Sequence, residues 1–326
     1  MKKFCTVVFA VFSVLLLVIS PFLVKKNQDE NKSDSIVLTV WHADAFEGGV
    51  GSRCAFLRNE ASAFSKAHKG VYFLVTNYTI EGLKNALQGG KSPDLVSFGG
   101  CDIGVENYAK EIKFNVLDGG TVGKKRYAVS YLKGSYFKIT KGDGAREIIL
   151  PKSEYSSSET ALLFSNAYSK NIVRLNSQDA YNRFLIKDDC TLIGTQRDIV
   201  KLRNINVQFT ATPIDRYNDL FQYFSITSSD SDKIFYANEF IKHVLSDGVQ
   251  SKIKNISMFS TTEQVLYAGD EVFSACERVK NEYTFIPFST KDNYELLKNT
   301  VFSELKKGSS YDIIVNSCKN LINVVK

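Results

Sequence analysis

Between residues 36 and 100 short apolar runs alternate with amphipathic stretches, and their order predicts an open α/β sheet. Ile36-Val37-Leu38-Thr39-Val40-Trp41 is β-rich with two-sided burial, as a central parallel strand requires. Phe56, Leu57, Ala61 and Phe64 recur at helical spacing, which predicts a helix over 55–67 with those side chains inward and Gly70 just past its end. Residues 71–75 read as the next strand. Residues 81–88 read as a short helix with Leu83, Ala86 and Leu87 on one face, and Pro93 opens a third strand over 93–98. Strands joined through helices pair in parallel, and open α/β sheets bind ligands beyond the carboxyl ends of their strands. Those ends carry His42, Asp44 and Phe46 after the first strand and Gly99, Gly100 and Asp102 after the third. A polar and aromatic crevice is expected there.

Farther along, strands are predicted at 127–131, 136–140, 191–193 and 207–213, with a serine-rich loop at 156–158. Helical spacing marks 177–186, 196–202 and 231–245, the last with Ile234, Phe235, Ala237, Phe240, Ile241 and Val244 on its apolar side. Residues 221–225 read as a hinge or return strand. Two more helices are expected at 295–306 and 311–325.

The amino-terminal pattern is different. Thr6 to Val24 is an uncharged, mostly apolar run of nineteen residues preceded by Lys2 and Lys3. As a helix it would reach roughly 28 Å, close to the thickness of a bilayer core. The lysines favour a cytoplasmic start with the rest exported. Length favours an uncleaved anchor over residues 1–24; a cleaved secretory signal is the alternative, although no convincing small-x-small site follows. Cys5 precedes the apolar core, which excludes a lipid-anchored cysteine after it. Residues 25–35 are almost wholly polar and read as a flexible tether.

Of the 326 residues, about 290 remain after this leader, enough for two modest lobes or one large domain. The net charge is +6, but residues 1–35 supply +2 of it (five lysines against three acids), and no basic run of five or more occurs. Nucleic-acid binding is therefore not expected. Beyond Cys5 the cysteines are Cys54, Cys101, Cys190, Cys276 and Cys318, an odd number without C-x-x-C. Buried free thiols are the favoured reading, with a Cys54–Cys101 bridge left open. His42, His68 and His243 share no metal-ligand spacing, and no G-x-S-x-G, P-loop or strand-borne G-x-G-x-x-G is present. No enzymatic activity, catalytic residue, metal or cofactor is expected.

Several collinear stretches carry a resemblance. They are Leu38-Thr39-Val40-Trp41-His42, the helix end Phe64-Ser65-Lys66-Ala67-His68-Lys69-Gly70-Val71, and Leu83-Lys84-Asn85-Ala86-Leu87-Gln88-Gly89-Gly90-Lys91-Ser92-Pro93-Asp94-Leu95-Val96. Together they look like the opening of the family 1 extracellular solute-binding proteins, the sugar-type receptors of ABC importers. Gly123–Val129, Ile193–Asp198 with Thr212-Pro213, and Ala237–Ser246 with Val249-Gln250 resemble later parts of that family. The resemblance implies a two-lobe α/β fold like that of the periplasmic binding proteins. Each lobe would be a mostly parallel sheet flanked by helices, preceded here by the amino-terminal hydrophobic helix. It places residues 36–105 and 228–272 in the first lobe, and 106–227 and 273–326 in the second. It also implies a small polar ligand, expected to be a sugar, held between the lobes, and ABC permease subunits as partners at the extracytoplasmic membrane face. The chain has one tryptophan, and Ser130 stands where many family members have proline. An assembly or interaction module that kept the fold without ligand binding is the alternative.

Sugar sites combine aromatic faces with planar polar groups. His42, Asp44, Phe46, Gly99, Gly100 and Asp102 suit this at the first-lobe strand ends. Tyr131, Arg197, Asp215 and Tyr217 are the candidates from the crossing strand and second lobe. Each has a plainer reading: Asp44 capping a turn, the glycines as a tight turn, Tyr131 and Tyr217 as core tyrosines, and Arg197 in a structural ion pair. Trp41 reads as core.

Overall fold

The computed structural model describes residues 35–100, 103–114, 120–122, 124–144, 146–167, 169–277, 283–285 and 291–324. The apolar run 6–24, most of the tether 25–35, Cys101 and Asp102 lie outside them. No helix among the described residues is long and apolar enough to cross a membrane.

The first part of the chain runs β1 (Ile36–Ala43), α1 (Arg53–Ala67), β2 (Val71–Tyr78), α2 (Ile80–Gln88) and β3 (Leu95–Gly99). Then come β4 (Thr121–Val122), β5 (Lys125–Arg126), β6 (Val129–Lys133), β7 (Tyr136–Lys141) and β8 (Ile148–Lys152). They are followed by α3 (Ser158–Phe164), β9 (Ile172–Asn176), α4 (Ser177–Ile186), β10 (Cys190–Thr195), α5 (Gln196–Asn204), β11 (Thr210–Pro213) and β12 (Phe221–Ile226). The remainder is α6 (Ser231–Val244), α7 (Asp247–Gln250), α8 (Glu271–Glu277), β13 (Tyr283–Phe285), α9 (Lys291–Lys307), α10 (Tyr311–Cys318) and β14 (Ile322–Val324).

Two five-stranded sheets organise the molecule, ordered β2-β1-β3-β12-β6 and β11-β7-β10-β8-β9. In the first, β1 pairs in parallel with β2 and β3, whereas β12 runs antiparallel to β3 and β6. In the second, β8 is parallel to β9 and β10, while β7 is antiparallel to β10 and β11. Both sheets are therefore mixed, not mostly parallel. The reason is the crossings: β6 passes through Gly134-Ser135 directly into β7, and β11 returns through 214–220 into β12. A strand that leaves one sheet for the other cannot keep the direction set by helical crossovers. A third crossing runs beside them, where Lys133 and Phe259 exchange backbone hydrogen bonds of 3.0 and 2.9 Å. The strands expected in the second lobe at 127–131 and 221–225 thus belong to the first sheet.

Packing follows the sequence periodicity. In α1, Phe56, Leu57, Ala61 and Phe64 are buried as expected, and Ser52 caps the helix by accepting from the Ala55 N–H at 3.1 Å. Phe64 and Phe73 meet Phe240 of α6 with ring centroids 5.7 and 4.4 Å apart. Phe64 and Phe240 are fully buried, and each such ring contributes about 1.5–3 kcal/mol. On α6, Ala237, Phe240, Ile241 and Val244 are inward, but Phe235 is 57% exposed. It lies off the stripe, because 3.6 residues per turn carry it around the helix from Phe240. The opposite face of the first sheet, with Val96 and Phe98, packs under Leu83 and Leu87 of α2. Trp41 is half-buried there, its ring 5.0 Å from Tyr78. Phe137, Ile139, Leu192, Phe184 and Ile199 form the second-sheet core. The last expected helix stops at Cys318, and β14 follows it to pair with β13.

Asp219, in the return crossing, is buried and accepts from Tyr136 Oη (2.8 Å), Tyr217 Oη (2.9 Å), the Ser157 N–H (2.8 Å) and Tyr294 Oη. Burial raises its pKa, against the opposing pull of these donors. One carboxylate thereby joins β7, the crossing, the start of α3 and α9. Asp219→Ala leaves three hydroxyls and an amide without their acceptor. Urea unfolding is expected to show a loss on the order of 3–5 kcal/mol; a loss under about 1 kcal/mol would remove Asp219 from this role.

Candidate functional site

The carboxyl ends of β1 and β2 face the carboxyl ends of β8 and β10 across a cleft. One stretch of it, ≈ 580 Å³, is lined by 44–51 and Arg53 on the first-sheet side and by Ser153, Arg197 and Lys201 on the other. An adjoining stretch of ≈ 550 Å³ has Asn77, Tyr78 and Glu81 facing Lys152, Glu154, Tyr155 and Ser177. Asp44, Ala45, Glu47 and Ser153 are common to both. Volumes of this size accommodate small ligands.

The loop after β1 forms the first wall. Gly49 sits at φ +68°, and a Cβ there would meet the Ile256 carbonyl oxygen at 2.2 Å, so glycine is required for this turn. Gly99 is needed for a different reason: a Cβ would strike the Ala45 Cβ at 2.3 Å. Its missing side chain lets the loop lie against β3. Gly100 is half-buried beside the return crossing.

Beneath the loop a polar network is packed into the sheet. His42 is fully buried, with Nδ1 2.8 Å from Ser97 Oγ and Nε2 3.0 Å from Asp44 Oδ1. Ser97 Oγ also meets Tyr131 Oη at 2.9 Å and accepts from Gln222 Nε2 at 3.2 Å. Arg53 is buried: Nε lies 3.3 Å from Asp44 Oδ1, Nη1 donates to Gln222 Oε1 at 3.2 Å, and Nη2 donates to the Phe46 carbonyl. Its guanidinium also lies 4.1 Å from the centre of the Phe46 ring. Burial lowers the Arg53 pKa, with the Asp44 charge opposing.

Ser97, His42 and Asp44 are the residue types of a hydrolase triad, but Ser97 has no exposed surface and its oxygen is engaged by three partners. A nucleophile must reach a reacting atom. The network is instead a brace that holds the loop on the strand ends. Among the described residues, no group of three His, Cys, Asp or Glu is placed to hold a metal.

The sequence candidates separate into two groups. Asp44, the surface of the Phe46 loop and Arg197 line the cleft. His42 lies beneath it. Tyr131 and Tyr217, expected at a ligand, are fully buried: Tyr131 stacks on Phe224 with centroids 4.1 Å apart, and Tyr217 stacks on Phe164 at 5.8 Å and donates to Asp219. The apolar interior takes these rings, and their hydroxyls find protein partners. Asp215 is exposed and does not line either stretch of the cleft. Arg197 pairs with Glu47 at 3.0 Å, an ion pair that bridges the cleft, and Tyr155 Oη donates to Glu81 Oε1 at 3.1 Å across its other part. Glu47, Arg53, Glu81, Tyr155 and Lys201 were not singled out by sequence. Gln222 and Ser97 carried a signal, as polar residues inside otherwise apolar strands.

Burial alone would raise the Asp44 pKa, but the His42 hydrogen bond and the charges of Arg53 and His42 hold it below the ordinary 3.8. A carboxylate depressed in the fold stabilises it above the unfolded pKa and loses that contribution as pH falls. Urea midpoints of the parent and Asp44→Asn proteins are expected to differ at pH 6 and to converge as pH drops below 3.8. A gap independent of pH would mean that the Asp44 charge contributes nothing.

No family model matches the chain, and no curated protein matches it in sequence. Solved structures do. A cyclo/maltodextrin-binding protein complexed with maltotetraose aligns at TM-score 0.61 and 12% identity, covering 89% of this chain and 97% of its own. The sugar-binding protein MalE from the phytopathogen Xanthomonas citri aligns at TM-score 0.60 and 12% identity, over 87% and 95%. A chitin oligosaccharide binding protein aligns at TM-score 0.58 and 12% identity, over 88% and 98%. These neighbours are binding proteins, not enzymes. Two mixed sheets, three crossings and a cleft at the strand ends give this divergent chain the two-lobe fold of the sugar-type solute-binding proteins.

Proposed function

We propose that the protein is an extracytoplasmic solute receptor that captures a small polar ligand, of carbohydrate type, between its two lobes and presents it to an ABC permease. The observation that carries this reading is the cleft itself, walled by strand-end loops of both sheets and lined on each side by hydrogen-bonding side chains. The ligand contacts would be Asp44 and the Phe46 loop from one wall and Ser153, Tyr155 and Arg197 from the other, with His42 and Arg53 holding the first wall in place. Tyr78 and Tyr155 would supply apolar ring faces. Closure would be a hinge motion about the three crossings, driven by contacts to both walls. The apolar run 6–24 would hold the protein at the membrane.

A second reading has an observation of its own. Glu47–Arg197 and Tyr155–Glu81 join the walls through the chain's own side groups. A module that keeps the fold for assembly alone would use such contacts to hold its halves shut.

The two are separated by thermal unfolding of the full chain against a panel of mono- and oligosaccharides. A receptor gains about 2.7 kcal/mol at a hundredfold excess over Kd, read as a rise of several degrees in Tm. A panel without any shift would favour the assembly module.

A further inference from the structure

Four carboxylates and four cations line the two stretches of the cleft, but they are not evenly paired. Four carboxylates face it, and each already has a donor from the chain. Asp44 has Arg53 at 3.3 Å and His42 at 3.0 Å, Glu47 has Arg197 at 3.0 Å, Glu81 has Tyr155 Oη at 3.1 Å, and Glu154 has Lys291 at 3.4 Å. Two ammonium groups facing the same cleft, Lys152 and Lys201, have no carboxylate oxygen within 4.0 Å among the described residues. Lys201 lies one helical turn from Arg197 on α5, so both cations share one face of that helix. Its ammonium lies 5.2 Å from the centre of the Tyr181 ring. Asp198, on the same helix, is half-buried and accepts from the Thr195 N–H at 2.8 Å, and the Lys201 charge also reaches it.

Glu47 shows that this wall accepts a carboxylate. It reaches across from the first wall and seats its oxygen on Arg197, although more than half of its own side chain remains exposed. An exposed cross-cleft pair of this kind is worth little by itself. A ligand carboxylate seated between Arg197 and Lys201 would meet two cations in a partly enclosed site, where charge-assisted hydrogen bonds are stronger.

From this we infer that the solute is an acidic saccharide, one bearing a uronate-type carboxylate that takes the place of Glu47 on Arg197 and draws in Lys201. Glu47 is then an internal competitor that sets a threshold against neutral sugars. The inference rests on the receptor reading, and its test keeps the two apart.

Calorimetric titration of the full chain in detergent compares a trigalacturonate with maltotriose, two trisaccharides of similar size. The acidic ligand is expected to bind about tenfold more tightly or better. Raising salt from ~0.05 to ~0.5 M weakens it while leaving any neutral binding in place. Arg197→Gln removes the preference, and Arg197→Lys keeps part of it. Glu47→Gln strengthens acidic binding several-fold, because the competing carboxylate is gone. Equal or tighter binding of maltotriose overturns the inference while the receptor stands. So does weaker acidic binding in Glu47→Gln, the result expected if Glu47 merely latches the lobes. Binding of neither trisaccharide overturns the inference together with the receptor reading.

Discussion

A carboxylate removed from water must be met by donors or give up its charge, and Asp219 places that demand where the chain returns from one sheet to the other. Four groups answer it, from β7, the crossing, the amino terminus of α3, and α9. They are far apart in sequence, so the carboxylate is satisfied only when the second sheet, its covering helices and the crossing are all assembled. Leu220 and Asn218, on either side, bond to Gly134 in the outgoing crossing at 2.6 and 3.0 Å. The two main crossings are thus tied to each other and to the second sheet.

The first lobe has a matching brace at its strand ends. Arg53, Gln222, His42 and Ser97 spend their hydrogen-bonding capacity on one another and on the backbone of the loop after β1. The brace fixes the loop of one wall through buried hydrogen bonds, while Glu47, Glu81, Tyr155, Arg197 and Lys201 line the cleft outside that network.

Much of the first lobe was legible in the sequence, because Phe56, Leu57, Ala61 and Phe64, or Leu83 and Leu87, report their burial through spacing alone. The middle of the chain was not. Ile148-Ile149-Leu150 is only three residues before Pro151, too short to show a period, yet it lies inside the second sheet. The serine cluster at 156–158 reads as a loop, and Ser157 is in fact the cap of α3, accepting from the Thr160 N–H at 3.1 Å. The carboxyl ends of the strands located the cleft correctly in outline. They could not separate Asp44, which faces it, from His42 two residues earlier, which faces the core. Nor could they show that Tyr131 and Tyr217 are interior rings, because a tyrosine's partner is set by elements distant in sequence. Glu47 and Lys201 become informative only once the opposite walls are brought face to face.

The single tryptophan has a consequence of its own. Trp41 lies half-buried against Tyr78, and Tyr78 forms part of the cleft wall. Every photon of indole emission from this chain therefore originates one ring away from the cleft, with no second tryptophan to dilute it. The protein carries a built-in optical probe of its own mouth, readable by fluorescence on unlabelled material.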